Sequence, residues 1–296
     1  MSDAVKKPLA YANVRLRICA MLAAALVLTG CSTFKLWYGF ADGMIESRAE
    51  DYLDFDAAQQ AELEKQSAAL MVWHKKVMLP KYAAYFNAQA DIAETGGWTR
   101  PQMRQAVGQF RALLDETVRG AAPFVAHVLS GHLSAEKLAY LEARLAEYIA
   151  ERRADIKDAN PEDAVKERIE RRSKAISRFT GPLDSKQIEI IRVHAEAATR
   201  TSMRWLENRE KRHAAIIAFL RSKPNHPDIS RFLHHIVFQA EKITDPEYRN
   251  HSDAYWASLE TVYGDVMGSL SDQQRAELVS TLRAYAADMI ELSEDA

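Results

Sequence analysis

Leu270-Ser271-Asp272-Gln273-Gln274-Arg275-Ala276-Glu277-Leu278 is the stretch that decides the fold. An apolar residue precedes a short polar one, and a glutamine follows three positions later, ahead of an amphipathic run. A serine, threonine or aspartate so placed accepts a bond from an early backbone N–H of a helix, and the glutamine reaches back to the cap's own N–H. The apolar residue before the cap staples onto the first turn. The device recurs at Phe55-Asp56 with Gln59, at Leu183-Asp184 with Gln187, and at Leu133-Ser134, where Lys137 takes the glutamine's place. Thr99 with Gln102 adds another capping box. The starts at 55, 133, 183 and 270 are unevenly spaced, which indicates a shared helix-opening device and no solenoid repeat. Duplication stays open.

Behind these starts the apolar residues step by three and four. Leu63, Gln66, Leu70, Trp73 and Val77 do so first, then Leu138, Leu141, Leu145 and Tyr148, and last Leu278, Leu282, Tyr285 and Met289. Stops are expected at Gly96-Gly97, Gly131, Gly181-Pro182, and Pro224 with Pro227, where glycine permits left-handed caps and proline blocks continuation. Pro80 sits inside a helical pattern and predicts a kink or break there. Asn160-Pro161-Glu162-Asp163 restarts a helix with cap, proline and acids in favoured places. No run of alternating β-branched residues suggests a strand. The expected fold is all-α, an elongated multi-helix bundle of antiparallel helices with no sheet. No linker divides residues 44–296, which read as a single helical domain.

The first thirty residues read differently. Lys6, Lys7, Arg15 and Arg17 precede an apolar run from Ile18 to Leu28, which is shorter than the roughly 20 residues of a spanning helix. Leu28, Thr29 and Gly30 then lead into Cys31, and this order resembles a bacterial lipoprotein signal peptide with its lipobox. The resemblance implies cleavage after Gly30, removal of residues 1–30, and a diacylglyceryl group and palmitate on Cys31 as the lipid attachment. Two or more acyl chains give stable anchoring where one is marginal. Ser32, in place of an aspartate, resembles the class sorted to the outer membrane. Residues 31–43 then form the anchor and an aromatic juxtamembrane segment, in which Phe34, Leu36, Trp37, Tyr38 and Phe40 surround Lys35. That cluster suits either the headgroup level or packing on the domain.

The chain has 39 Lys plus Arg against 41 Asp plus Glu, and loss of residues 1–30 removes four bases and one acid. The resulting acidic balance argues against nucleic acid as a partner. Of the two cysteines, Cys19 leaves with the signal and Cys31 carries lipid, so no thiol remains for a disulfide, redox chemistry or metal. Among nine histidines the best pairs are His127 with His132 and His234 with His235, neither at the i, i+4 spacing that aligns two ligands on a helix. Gly-x-Ser-x-Gly turns and phosphate-cradling glycine loops are absent. No cofactor, metal site or catalytic residue is expected, and the protein reads as a non-enzyme.

Two basic strips stand out. Arg144 to Arg178 carries Arg152, Arg153, Lys157, Lys166, Arg168, Arg171, Arg172 and Lys174 among acids, and Arg192 to Arg212 carries Arg200, Arg204, Arg209 and Lys211 around Trp205. Mixed signs at helical spacing make a solvated face, or a docking surface for an anionic partner if the strips face one way. Trp73-His74 and Leu79-Pro80-Lys81-Tyr82 read as aromatic packing on either side of a proline break, with a ligand site as the alternative.

With the aromatic segment after Cys31, the acidic run Glu50-Asp51-Tyr52-Leu53-Asp54 and Leu270 to Gln274, these strings resemble a family of uncharacterised, all-helical proteobacterial lipoproteins with a domain of unknown function. That resemblance implies fold and location, and no activity. The Leu-x-x-x-Gln starts also resemble small periplasmic helical chaperones with a Leu-Thr-x-x-Gln motif, although capping physics alone generates such strings. The leading expectation is a lipoprotein anchored through Cys31 on the periplasmic side of the outer membrane that binds envelope protein partners or client chains. The alternatives are lipid or small-molecule binding among Trp73, Trp205, Trp256 and neighbouring aromatics, and an envelope hydrolase with dispersed residues.

Overall fold

The computed structural model describes residues 34–295, so the lipobox residues Leu28, Thr29, Gly30 and Cys31 lie outside the described part of the chain. Contacts divide the chain into two units after Phe40. In the first unit residues 34–38 are helical, the rings of Phe34 and Tyr38 lie 5.9 Å apart, and Leu36, Trp37 and Phe40 are exposed.

The second unit is all-α, with no strand among the described residues. Its helices are α1 (Ala41–Glu50), α2 (Ala57–Trp73), α3 (Leu79–Glu94), α4 (Arg100–Ser130), α5 (Ala135–Asp158), α6 (Pro161–Thr180), α7 (Ser185–Arg200), α8 (Ser202–Arg221), α9 (His226–Phe238), α10 (Tyr248–Gly268) and α11 (Asp272–Glu294). Both bonds of the capping box form at Asp56/Gln59, Thr99/Gln102, Asp184/Gln187 and Ser271/Gln274. Ser134 and Asn160 accept from Lys137 N and Glu162 N as single caps.

Pro80 acts as expected, and the form of the break is a π-helical turn. Residues His74–Met78 widen the helix between α2 and α3, with Pro80 in the first turn of α3. A proline has no N–H for the carbonyl four residues back and crowds it, and a wider turn relieves both problems. Two stop signals take a different shape from the one expected. Gly96, Gly97 and Gly181 have positive φ, but Gly131 closes α4 at φ −78° with right-handed geometry. Pro227 opens α9 behind the Asn225 cap, since a proline in the first turn gives up only an N–H that has no intrahelical partner. Pro123, inside α4, is tolerated, and its carbonyl accepts from His226 Nε2 at 2.9 Å.

α3 lies along α11, α4 along α9, α5 along α8 and α6 along α7. Ala83, Ala90, Ala93 and Ala286 are almost fully buried on α3 and α11, and such small side chains let two helices approach closely. Arg283 of α11 bridges Asp91 at 2.8 Å and Glu94 at 2.9 Å on α3. The apolar residues gather in separate clusters. One joins Leu63, Ala126, Leu138, Leu141, Ile217, Leu220 and Ile229; another Ala90, Ala93, Leu270, Leu278 and Leu282; another Ile176, Ile191, Val262 and Val266. Met267 touches the last two, and the space between them is incompletely filled.

Candidate functional site

Between these two clusters lies a cavity of about 510 Å³, walled by α3, α4, α6, α10 and α11. Its size falls within the roughly 300–1,000 Å³ usual for small-molecule sites. Met103, Ala106, Val107 and Phe110 line it from α4 at steps of three and four, and Ala175, Ile176 and Phe179 do so from α6. α10 adds Tyr255, Trp256, Leu259, Tyr263 and Met267, and α11 adds Leu278 and Leu282.

The wall from α3 is held by internal polar bonds. Trp98 Nε1 donates to Gln89 Oε1 at 2.9 Å, which fixes the indole of the α3–α4 connection. Tyr85 donates its hydroxyl to the Ala106 carbonyl at 3.2 Å, and burial, with Tyr263 acting the same way, pushes its phenol up to about 12. Phe86, Phe179 and Tyr285 close one end, with Phe179 and Tyr285 centroids 5.4 Å apart and Phe86 edge-on to both. Phe110 and Tyr263 are 37 % and 38 % exposed, so the cavity opens to solvent beside them.

Of the three tryptophans expected to line one site, the structure brings only Trp256 into this wall. Trp205 stands behind Tyr255, edge-on at 5.1 Å, and also contacts Tyr248 and His251. Trp73 lines a separate open cleft of about 830 Å³ with Arg111, Asp115, Glu116 and Arg119. A Cβ on Gly120 would lie 1.9 Å from Trp73 Cζ2, so the indole occupies the space that glycine leaves. The Arg111 guanidinium, 5.1 Å from the Trp256 centroid, connects the two regions by a cation–π contact. Trp98, Tyr85, Phe86, Phe110 and Phe179 are wall residues that sequence reasoning did not single out. The three-and-four spacing from Met103 to Phe110 is a local signal for Phe110 alone.

The remaining strings of the sequence find structural places. Met78 and Leu79 are fully buried, Tyr82 is bonded to Thr117 at 2.5 Å, and Lys81 pairs with Glu116, so the Trp-His and Leu-Pro-x-Tyr segment docks on α4. His127 and His132 find different partners, whereas the rings of His234 and His235 stay 5.8 Å apart. The His127 and His226 rings lie 4.0 Å apart, tilted by 40°, while His132 is buried, bonds Val128 O through Nδ1 at 2.8 Å and meets Phe55 edge-on. His234 bonds Asp115 at 2.9 Å. Among the described residues no three His, Cys, Asp or Glu side chains converge as a metal site.

The two basic strips meet, because α5 pairs with α8 and α6 with α7. Arg153 reaches Glu210 at 2.5 Å, and Arg209 bonds the Tyr148 hydroxyl. Acids take up Arg144, Arg152, Arg171 and Arg192 as well. Arg168 instead donates to Thr199 at 3.2 Å and Ser202 at 3.0 Å, and burial lowers its pKa from the ordinary value. Arg172 Nη1 is buried with no hydrogen-bond partner among the described residues.

No helix among the described residues is long and apolar enough to cross a membrane. Searches of curated proteins and of solved structures gave no match. A family described as a family of unknown function (DUF6279) matches residues 51–249, a range that takes in the α3, α4 and α6 walls of the cavity and ends as α10 begins. The chain belongs to this family of unknown function.

Proposed function

We propose that this protein is a non-enzymatic binding protein that takes an apolar small molecule or acyl chain into the cavity between α3, α4, α6, α10 and α11, while a lipid on Cys31 tethers it to the periplasmic face of the outer membrane. The observation that carries the reading is the cavity itself, lined by aromatic and aliphatic side chains with Gln89 among them and open beside Phe110 and Tyr263. Transfer of apolar surface from water into such a space stabilises a ligand by roughly 25 cal/mol per Å² before the costs of association. The family resemblance in the aromatic segment after Cys31, and the lipobox order of Leu28 to Cys31, support the lipoprotein part of the reading.

Partner or client binding, which the sequence alone ranks first, ranks second here. The exposed large apolar residues lie on many helices, among them Val72, Val125, Tyr140, Val193, Val237 and Ile290, whereas the cavity collects its rings in one place.

The test is native mass spectrometry of the gently extracted full chain, together with binding of an uncharged naphthylamine fluorophore. A co-purified ligand and saturable fluorophore binding are expected, and Val107→Trp, which fills the cavity from α4, should abolish both without lowering the melting temperature by more than a few degrees. Binding unchanged in a folded Val107→Trp protein, or no binding by the wild type, overturns the reading.

A further inference from the structure

The cavity is apolar, yet on α6, one and two turns before its wall, stand Arg172 and Arg168, neither of which forms an ion pair with an acid among the described residues. Arg172 precedes Ala175, Ile176 and Phe179 on α6 at offsets of three, four and seven, so it continues the helix face that lines the cavity by one turn. Its Nη1 atom is buried and unbonded, and no carboxylate lies within ion-pair distance of it among the described residues. Arg168, one turn earlier, has only the neutral hydroxyls of Thr199 and Ser202. The arginines also stand within electrostatic reach of two tyrosines of the cavity wall, Arg172 of Tyr263 and Arg168 of Tyr255. Neither tyrosine hydroxyl makes a hydrogen bond to another described residue, in contrast to Tyr85 across the cavity.

A guanidinium N–H buried without an acceptor is costly, because no hydrogen bond offsets its removal from water. Elsewhere on the same helices the chain supplies glutamates for its arginines, as at Arg171 with Glu167 and Arg192 with Glu189. Arg172, next in sequence to Arg171, has no such partner among the described residues.

We propose that the ligand is an anionic amphiphile, an apolar chain ending in a carboxylate or a phosphate, whose chain fills the aromatic cavity and whose anion is held by Arg172 and the Tyr263 hydroxyl. This deepens the binding reading above and rests on it. Guanidinium forks match both anions in geometry, and charge-assisted bonds are the strong ones in a site shielded from water. Arg168 keeps the local field positive, and Tyr255 is the second hydroxyl within its reach.

The experiment titrates the purified full chain with dodecanol, dodecanoate and dodecyl phosphate, which share one chain length. Wild type should bind at least one anion about tenfold tighter than the alcohol, the scale of one charge-assisted hydrogen bond. Arg172→Gln should remove that preference while dodecanol binding stays within about twofold, and Arg172→Lys should restore part of it. Tyr263→Phe, which keeps the ring, should lower the ratio of anion to dodecanol affinity and decides the matter if Arg172→Gln fails to fold. Preference for dodecanoate assigns a fatty-acid ligand, and preference for dodecyl phosphate a phosphate-bearing lipid. Equal binding of all three probes, or anion preference intact in both Arg172→Gln and Tyr263→Phe, overturns this inference and leaves apolar ligand binding standing. Absence of binding by any probe, dodecanol included, defeats the underlying reading instead.

Discussion

Gln187 and Gln274 clasp one another, each across the start of the other's helix. Each side-chain oxygen accepts its own cap N–H, from Asp184 at 2.9 Å and from Ser271 at 3.0 Å, and the two amides face each other at 2.9 Å. Each amide nitrogen also reaches the carbonyl two residues before the opposite cap, Ser269 O at 3.2 Å and Pro182 O at 2.7 Å. The starts of α2 and α5 reach across to one another too, without the mutual side-chain contact. Gln59 Nε2 donates to Gly131 O at 2.6 Å, and Lys137 Nζ donates to Asp54 O at 2.7 Å. The four similar strings of the sequence are thus two docked pairs, and the lysine that replaces a glutamine at position 137 performs the same reach.

Gln187→Ala should be among the more damaging polar substitutions in the chain. Gln187 is fully buried, and its loss leaves Ser269 O and the Gln274 amide short of a partner, at a cost of about 2 to 3 kcal/mol. Gln187→Ala with Gln274→Ala should cost less than the sum of the two single changes, since they share bonds. Urea denaturation of the three variants measures this, and strict additivity contradicts the clasp.

Gly120→Ala should destabilise although alanine is the better helix former. The new methyl would overlap the Trp73 ring and force it from α4, a strain of about 1 to 3 kcal/mol. In a Trp73→Ala background the same change should instead stabilise by up to about 1 kcal/mol. Thermal melts of the two pairs should show this reversal of sign.

Stability should fall as the medium is acidified below the ordinary histidine range. Burial first, then the charges of Arg209 and Arg212, push His213 down to about 4. The unfolded chain, with a histidine pKa of about 6.5, binds the proton first, so the contribution is complete above that value and is lost as pH falls towards 4. His213→Gln should flatten the profile of unfolding free energy between pH 6.5 and 4, and an unchanged slope would count against the assignment.

Cys31→Ala should abolish incorporation of labelled palmitate and release the protein from membranes. Fractionation of labelled cells checks both, and lipid label that survives the substitution would remove the anchoring proposal while leaving the cavity reading untouched.

The helix boundaries were largely legible in the chain because capping is local. Asp56, Thr99, Asp184 and Ser271 bond groups two or three residues away, so their chemistry needs no knowledge of the fold. Gly131 and Pro227 were harder to interpret, since a glycine also suits right-handed geometry and a proline can open a helix as well as end one. Trp205 and Trp256 share one spectrum of sequence properties, yet only the second reaches the cavity.

From the sequence by itself came the all-α class, the starts of α2, α4, α5, α6, α7 and α11, and the break at Pro80, each governed by bonds or clashes within about one turn of chain. Only the tertiary structure decided that α3 lies on α11 and α6 on α7, that two apolar clusters leave a cavity between them, and that Arg172 Nη1 is buried with no hydrogen-bond partner among the described residues. Apolar periodicity states that a helix has a face to bury and is silent on which other face will meet it. That choice depends on side-chain shapes brought together from positions as distant as Tyr85 and Leu282.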